Sequence, residues 1–239
     1  MLLDAGQTLI RERTPPGEVA AAAAAQIGLD VPPQALATAM AAAAADVASR
    51  WHVGDYWHRE EFVRRLFTES YAHALRAATA VGEGQTPAAM ADTVRIRALA
   101  DAIYAQYGDA RHWRIYDDVP EVIAALRAAR VPIGVVSDWG HGLEAILLDL
   151  AIGGQIDTLV VSSRLGLAKP DAALFQMAID RLGVGPAGTV HVGDTYVKDV
   201  VGARAAGITP VLIDRDRKHP PFDCVVIHDL RELRDWLAI

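Results

Sequence analysis

Thr189-Val190-His191-Val192-Gly193-Asp194 is a β-branched run that stops at a glycine and an acid, with a second acid, Asp199, five positions beyond. Runs of the same kind recur on both sides of it. They are Pro132-Ile133-Gly134-Val135-Val136-Ser137, Thr158-Leu159-Val160-Val161, Pro210-Val211-Leu212-Ile213 and Cys224-Val225-Val226-Ile227. Helical patterns over 120–129, 141–151, 171–182 and 196–206 separate them, and a last helix follows the last run. Continuous apolar strands alternating with helices predict a parallel sheet covered on both faces. Leu2-Leu3-Asp4 reads as the first strand of that sheet. The fold class expected is α/β, with a Rossmann-like parallel sheet core.

Between the first strand and the rest, the rhythm changes to helix after helix, rich in Ala, Leu and Arg. Helices near 17–27, 33–49, 57–79 and 87–107 would make a small antiparallel bundle. Pro16 and Pro33 suit first helical turns, and Gly82, Gly84 and Pro87 mark a loop. The expected division is therefore an α/β core of residues 1–12 and 113–239 and an inserted helical domain of residues 13–112.

At 239 residues, with 52% apolar and 22% charged side chains, the chain can hold one substantial core and a smaller appended domain. A formal charge of −7 and a pI near 5.6 argue against general nucleic-acid or anionic-membrane binding. They leave room for a phosphorylated substrate, because a bound divalent cation inverts the local field. The alanine run Ala20 to Ala25 is too short and too weakly hydrophobic to span a bilayer. Met1-Leu2-Leu3-Asp4 lacks the basic flank and apolar stretch of a signal peptide, so a cytoplasmic enzyme is expected. The single Cys224 excludes an internal disulfide and a cysteine zinc site. Lysine is scarce: any lysine doing phosphate chemistry is Lys169, Lys198 or Lys218.

In open parallel sheets, ligands bind where strands end. The strand ends supply Asp4, Ser137 and Asp194, and Lys169 stands just ahead of a helix. A carboxylate nucleophile, a hydroxyl, an ammonium and a metal carboxylate make a phosphoryl-transfer set. Each residue alone has a plainer reading. An acid after a strand is often a turn residue, Ser137 an N-cap, and Lys169-Pro170 a helix start. His191 reads as a satisfied core histidine, Gly207 as a helix terminator, and Trp113 and Trp236 as core or domain-junction residues.

Taken in order, the segments resemble the haloacid dehalogenase superfamily of hydrolases with a helical cap, and within it the phosphatase-like branch. The family's first motif, D-x-D-G-T, stands here as Asp4-Ala5-Gly6-Gln7-Thr8. The second is Gly134-Val135-Val136-Ser137, followed by Asp138-Trp139, and the third is Lys169-Pro170-Asp171 with Phe175 beyond. The fourth is Gly193-Asp194-Thr195-Tyr196-Val197-Lys198-Asp199, continuing through Gly202-Ala203-Arg204-Ala205-Ala206-Gly207. The resemblance covers the whole core; the insert shares only its position and helical character.

What the resemblance implies is Mg²⁺-assisted hydrolysis of a small phosphorylated metabolite. Asp4 would attack phosphorus and become an aspartyl-phosphate. Asp4, Asp194 and the backbone carbonyl of Gly6 would hold Mg²⁺, with Asp199 a further ligand or the holder of a ligated water. Ser137 and Thr8 would donate to phosphoryl oxygens, and Lys169 would neutralise charge on Asp4 and the phosphoryl group. Gly6, Gln7, Asp138 and Trp139 would line the substrate side.

Gly6 departs from the pattern. Family phosphatases keep a second aspartate there for acid–base work worth roughly 10²–10⁴-fold in rate. Gln7 also replaces the usual glycine. His52 or His58, in the aromatic stretch Trp51 to His58, would stand in for the missing acid or be solvated cap histidines. Trp139 would close over the site or fill space under the cap. A phosphonoacetaldehyde hydrolase needs a cap lysine, and residues 13–112 contain none. A dehalogenase needs no metal acid pair, whereas Gly193-Asp194 and Asp199 are intact. A non-catalytic phosphate-binding protein is the other alternative, although a scaffold has little need of all five retained groups.

Overall fold

The computed structural model describes residues 1–50, 60–80, 93–140, 142–217 and 222–237. The chain forms two compact units, one of Met1–Arg11 with Arg114–Ile239 and one of Glu12–Trp113.

The first unit is built on six parallel strands. These are β1 (Leu2–Leu3), β4 (Gly134–Ser137), β5 (Thr158–Val161), β6 (Val190–Gly193), β7 (Thr209–Ile213) and β8 (Val225–Ile227). Their spatial order is β5-β4-β1-β6-β7-β8. The short strands β2 (Ile10–Glu12) and β3 (Trp113–Ile115) form a separate pair. β1 lies between β4 and β6, with Leu2 in register with Gly134 on one side and His191 on the other. The strand order reverses around β1, and that reversal opens a crevice at the carboxyl ends of β1, β4 and β6.

Helices cover the sheet by presenting apolar stripes. In α5 (Val119–Ala128) the buried residues are Val119, Val122, Ile123 and Leu126, a helical spacing of three and four. In α8 (Ala172–Leu182), Leu174, Phe175, Ala178 and Ile179 pack with Leu2, Val136 and Val160 of the strands. Burying each of the larger side chains contributes about 1.5–3 kcal/mol. Asp171 caps α8 by accepting from the amide of Ala173 at 2.9 Å. α6 (Leu143–Asp149), α7 (Ser162–Leu165), α9 (Gly202–Ala205) and α10 (Glu232–Leu237) complete the unit.

The second unit contains α1 (Pro16–Gln26), α2 (Pro33–Arg50), α3 (Glu60–Ala80) and α4 (Thr93–Gln106). Its core mixes Leu36, Leu75, Leu99 and Ile103 with buried alanines such as Ala20, Ala39 and Ala100, whose small side chains let helices approach closely. Pro16 and Pro33 open their helices, as expected.

Three details differ from the sequence reading. The helix expected over 196–206 is a π-helical turn, Tyr196–Val201, running into α9. Four-residue α7 and the polar strands β2 and β3 carry too few apolar positions for periodicity to reveal them. Trp113 is buried, but Trp236 is 44% exposed, because the buried stripe of α10 ends at Leu233. The stretch Trp51 to His58 and the loop with Gly82, Gly84 and Pro87 lie outside the described residues.

Candidate active site

The crevice at the sheet switch gathers one ammonium and three carboxylates. Asp4 follows β1 directly, and its amide donates to the carbonyl of Val192 at 2.8 Å, which fixes its height against β6. Lys169 precedes a cis peptide bond to Pro170, and its own amide donates to Asp138 Oδ1 at 2.9 Å. That bond ties the Lys169 loop to the end of β4. Lys169 Nζ then bridges Asp4 Oδ1 at 2.8 Å and Asp199 Oδ1 at 2.7 Å. The ammonium is only 2% exposed, so the bridge is dry. Ser137, at the end of β4, hydrogen-bonds the Asp4 carboxylate.

Asp199 is the most heavily engaged of the acids. Its Oδ1 also takes His191 Nε2 at 2.9 Å, and its Oδ2 accepts from the amide of Thr195 at 3.0 Å. Gly193 makes room for it: a β-carbon there would stand 2.1 Å from Asp199 Cγ. Only a glycine allows that approach.

The electrostatics follow from burial around an uneven charge count. Burial pushes the Asp4 carboxyl above its ordinary range; Lys169 opposes the rise and the charge on Asp199 adds to it. Burial, then the charges on Asp4 and Asp199, push Asp194 up to about 7, again against Lys169. Burial works against ionisation of Asp199 too, but Lys169 and His191 hold its carboxyl far below the usual range. Burial likewise disfavours the Lys169 charge, and Asp199, Asp4 and Asp138 overcome it, so the ammonium is held well above its ordinary pKa. Ligand oxygens of Asp4, Asp194 and Asp199 lie within 4.8 Å of one another. Three carboxylates against one ammonium, with oxygen donors only, suit a hard divalent cation.

The loop after β1 is braced from behind. Arg215 donates to the Thr8 carbonyl at 2.6 Å and to Asp118 Oδ2 at 2.9 Å, and Asp118 also accepts from the amide of Leu230 at 2.6 Å. The Arg215 guanidinium lies 3.7 Å from the centre of the Tyr116 ring, and the Tyr116 hydroxyl donates to Gln7 Oε1 at 2.9 Å. Gln7 is in the left-handed region at φ 53°, a conformation this bracing helps to hold. The Thr8 hydroxyl is fully buried and has no hydrogen-bond partner among the described residues, an arrangement that a bound polar group would relieve. A cleft of about 370 Å³ opens beside Gln7, Tyr116, Asp194 and Arg215. A larger hollow of about 440 Å³, lined by Arg127, Arg130, Asp157 and Arg181, lies at the amino ends of β4 and β5, away from Asp4, Asp194 and Asp199.

The structure brings Asp4, Ser137, Lys169, Asp194 and Asp199 together. Asp138 joins them through the backbone of Lys169 and through Lys198 Nζ at 3.2 Å, so its carboxylate is engaged within the protein. Trp139 covers Gly6: a β-carbon on Gly6 would lie 3.1 Å from Trp139 Cζ3. The sequence reading has His191 as a core histidine, and it is fully buried, but leaves out its contact with Asp199; Asp118 and Arg215 carry no signal in the sequence. The signal for His191 was available, since His191 and Gly193 fall on one face of a strand and Asp199 fills the space the glycine leaves.

A doubly wound parallel sheet with a carboxylate–ammonium cluster at its switch point defines the α/β class and places titratable groups where such sheets bind ligands. The chain belongs to the haloacid dehalogenase-like hydrolase family, whose model matches residues 2–207. It is 32% identical over 148 residues to haloacid dehalogenase-like hydrolase domain-containing protein 3 of Danio rerio, covering 62% of this chain and 61% of that protein. It is 30% identical over 138 residues to phosphoserine phosphatase of Thermus thermophilus, covering 57% of this chain and 53% of that one. The match therefore spans between about half and three fifths of these relatives' length. Among solved structures, the magnesium-bound HAD-hydrolase YfnB of Bacillus subtilis superposes with a TM-score of 0.76 over 100% of this chain and 97% of its own, at 16% identity. That likeness is one of fold. Among the described residues, no helix is long and apolar enough to cross a membrane.

Proposed function

We propose that the chain is a Mg²⁺-assisted phosphatase that hydrolyses a small phosphorylated metabolite through an aspartyl-phosphate on Asp4. The observation that carries the reading is the buried Lys169 ammonium shared between Asp4 and Asp199 at the centre of the sheet switch. A carboxylate cannot approach a phosphate dianion unless cations offset the repulsion. Lys169 supplies one such charge from inside the protein.

In this reading the Asp4 oxygen not held by Lys169 attacks phosphorus. The bond from phosphorus to the leaving oxygen breaks, and that oxygen departs with the electron pair. Water then attacks the phosphoryl group, the acyl phosphate bond breaks, Asp4 is regenerated as a carboxylate, and a proton of that water passes through solvent to the departed oxygen. Ser137 and the Thr8 hydroxyl, unpaired among the described residues, donate to the phosphoryl oxygens. Asp4, Asp194 and the Gly6 carbonyl would hold the Mg²⁺, which when bound supplies charge neutralisation between nucleophile and phosphoryl group. Asp199, already taken by three donors, is assigned to holding Lys169. Residues 13–112 are assigned as the cap that selects the substrate, and relatives named as phosphatases favour a phosphorylated one.

The test is phosphate release from a broad panel of phosphorylated metabolites, with and without Mg²⁺, for the parent and Asp4→Asn. Turnover should vanish in the variant while its circular dichroism is unchanged, and beryllofluoride should form an adduct on Asp4 of the parent. A parent-level rate in Asp4→Asn would falsify the covalent mechanism. Mg²⁺-independent halide release from 2-haloacids, with no phosphate release, would assign the chain to dehalogenation instead.

A further inference from the structure

Behind Lys169, the chain of contacts continues to a histidine. His191 lies in β6 and is fully buried. Its ring meets Phe175 edge-on, with centroids 4.9 Å apart and planes at 83°. Nε2 is 2.9 Å from Asp199 Oδ1, the same oxygen that Lys169 Nζ approaches to 2.7 Å. Nδ1 is buried and has no partner among the described residues.

This environment decides the tautomer. An ionised carboxylate faces Nε2, so that nitrogen carries the proton and donates. Among the described residues nothing accepts from Nδ1, so a proton there would be an unpaired buried donor next to an aromatic ring, which is costly. The hydrogen-bond geometry therefore makes Nε2–H the donor to Asp199.

Asp199 has little freedom to adjust. Its carboxylate lies against the α-carbon of Gly193, where a β-carbon would be 2.1 Å from Cγ, and the amide of Thr195 holds its other oxygen. It stands in the π-helical turn Tyr196–Val201, a conformation that frequently marks functional positions. Oδ1 is therefore a fixed acceptor shared by two donors. Each donor an oxygen accepts makes it a weaker acceptor for the other. The His191 N–H draws on Oδ1 and loosens its hold on Lys169, and the ammonium remains directed at Asp4, 2.8 Å away.

We propose that His191 is a positioning residue that sets, through Asp199, how the Lys169 ammonium is divided between Asp199 and Asp4. Its kinetic consequence rests on the reading of Asp4 as nucleophile; its hydrogen-bond arrangement does not.

Two substitutions separate this role from simple packing. His191→Met keeps bulk and loses the donor, whereas His191→Gln keeps an N–H that reaches toward the Nε2 position. His191→Met should lower kcat on the order of 10-fold while KM moves by less than about twofold, and His191→Gln should restore most of the rate. In a metal-free crystal of His191→Met, Lys169 Nζ should stay on Asp199 and move out of hydrogen-bond range of Asp4. Nitrogen NMR of the metal-free parent should show the His191 proton on Nε2 and none on Nδ1. A parent-level kcat in His191→Met, an equal loss in both variants, or a proton on Nδ1 would each overturn the proposal. If His191→Met fails to fold, the tautomer in the parent and the rate of His191→Gln decide it. If Asp4→Asn kept full activity, the phosphatase mechanism would fall while the tautomer and the metal-free crystal still judged His191.

Discussion

The indole of Trp139 lies over the α-carbon of Gly6, 3.1 Å from where a β-carbon would begin. The position from which a phosphatase of this family would extend its acid is thus under an aromatic ring contributed by the end of β4. Gly6 and Trp139 are one feature seen from two sides.

From this comes the first expectation. Restoring the acid by Gly6→Asp alone should give little gain, because the ring must shift by a few tenths of an ångström to admit it. Gly6→Asp combined with Trp139→Ala should gain up to ~10²-fold on alkyl phosphates, whose leaving oxygens need a proton. Aryl and acyl phosphates should gain far less. Equal gains on both substrate types, measured as kcat/KM, would show that acid catalysis is not what Gly6 lacks.

Lys169 should be a stability residue as well as a site residue. Lys169→Met leaves Asp4 and Asp199 facing one another in a dry crevice, at an expected cost of about 3–5 kcal/mol in urea denaturation at pH 8. Adding Asp4→Asn to that variant should recover part of the loss, since it removes one of the two charges. Strict additivity of the two substitutions would contradict the shared ammonium.

Mg²⁺ binding is expected from the excess of carboxylate over ammonium. Calorimetry should show one site in the parent, and Asp194→Asn should weaken it by at least about tenfold. Asp199→Asn should weaken it less, because three donors already occupy Asp199. An Asp199 effect as large as that of Asp194 would make Asp199 a direct ligand.

The brace formed by Asp118 and Arg215 gives a pH dependence. Burial raises the Asp118 carboxyl, but Arg215 and the amide of Leu230 outweigh it and hold the group below its ordinary 3.8. A carboxyl depressed by folding contributes stability that is present above the unfolded pKa and is lost as pH falls through the folded one. The parent should lose stability below about pH 4, and Asp118→Asn should flatten that decline. The same variant should cost about 3 kcal/mol at pH 7, because Arg215 loses its buried partner. An unchanged acid limb would mean that Asp118 titrates alike in both states.

Much of this was legible in the sequence, because β-branched runs such as Thr189 to Val192 and Val135-Val136 admit few readings. The acids and Lys169 were legible because each sits where such a run stops or a helix starts. Other features depend on groups far apart in the chain. Nothing near Gly6 announces that Trp139 will cover it, and nothing near Thr8 announces that Arg215 will hold its carbonyl. The π-helical turn was visible as a helix, but its wider register depends on Asp199 folding back to the amide of Thr195. His191 was visible as a core histidine; its role appears only once Asp199 is seen to share an oxygen between two donors.

β1 is two leucines long, yet it pairs with Gly134 on one side and His191 on the other. On a ribosome adding ~5–20 residues per second, the leading strand waits roughly 10–40 s before its second neighbour exists. The helical unit, rich in contacts close along the chain, can mature during that wait. At that stage the carboxylate crevice has not formed, since His191 and Asp194 are still to be made, and the two leucines of β1 lack their second neighbour in the sheet.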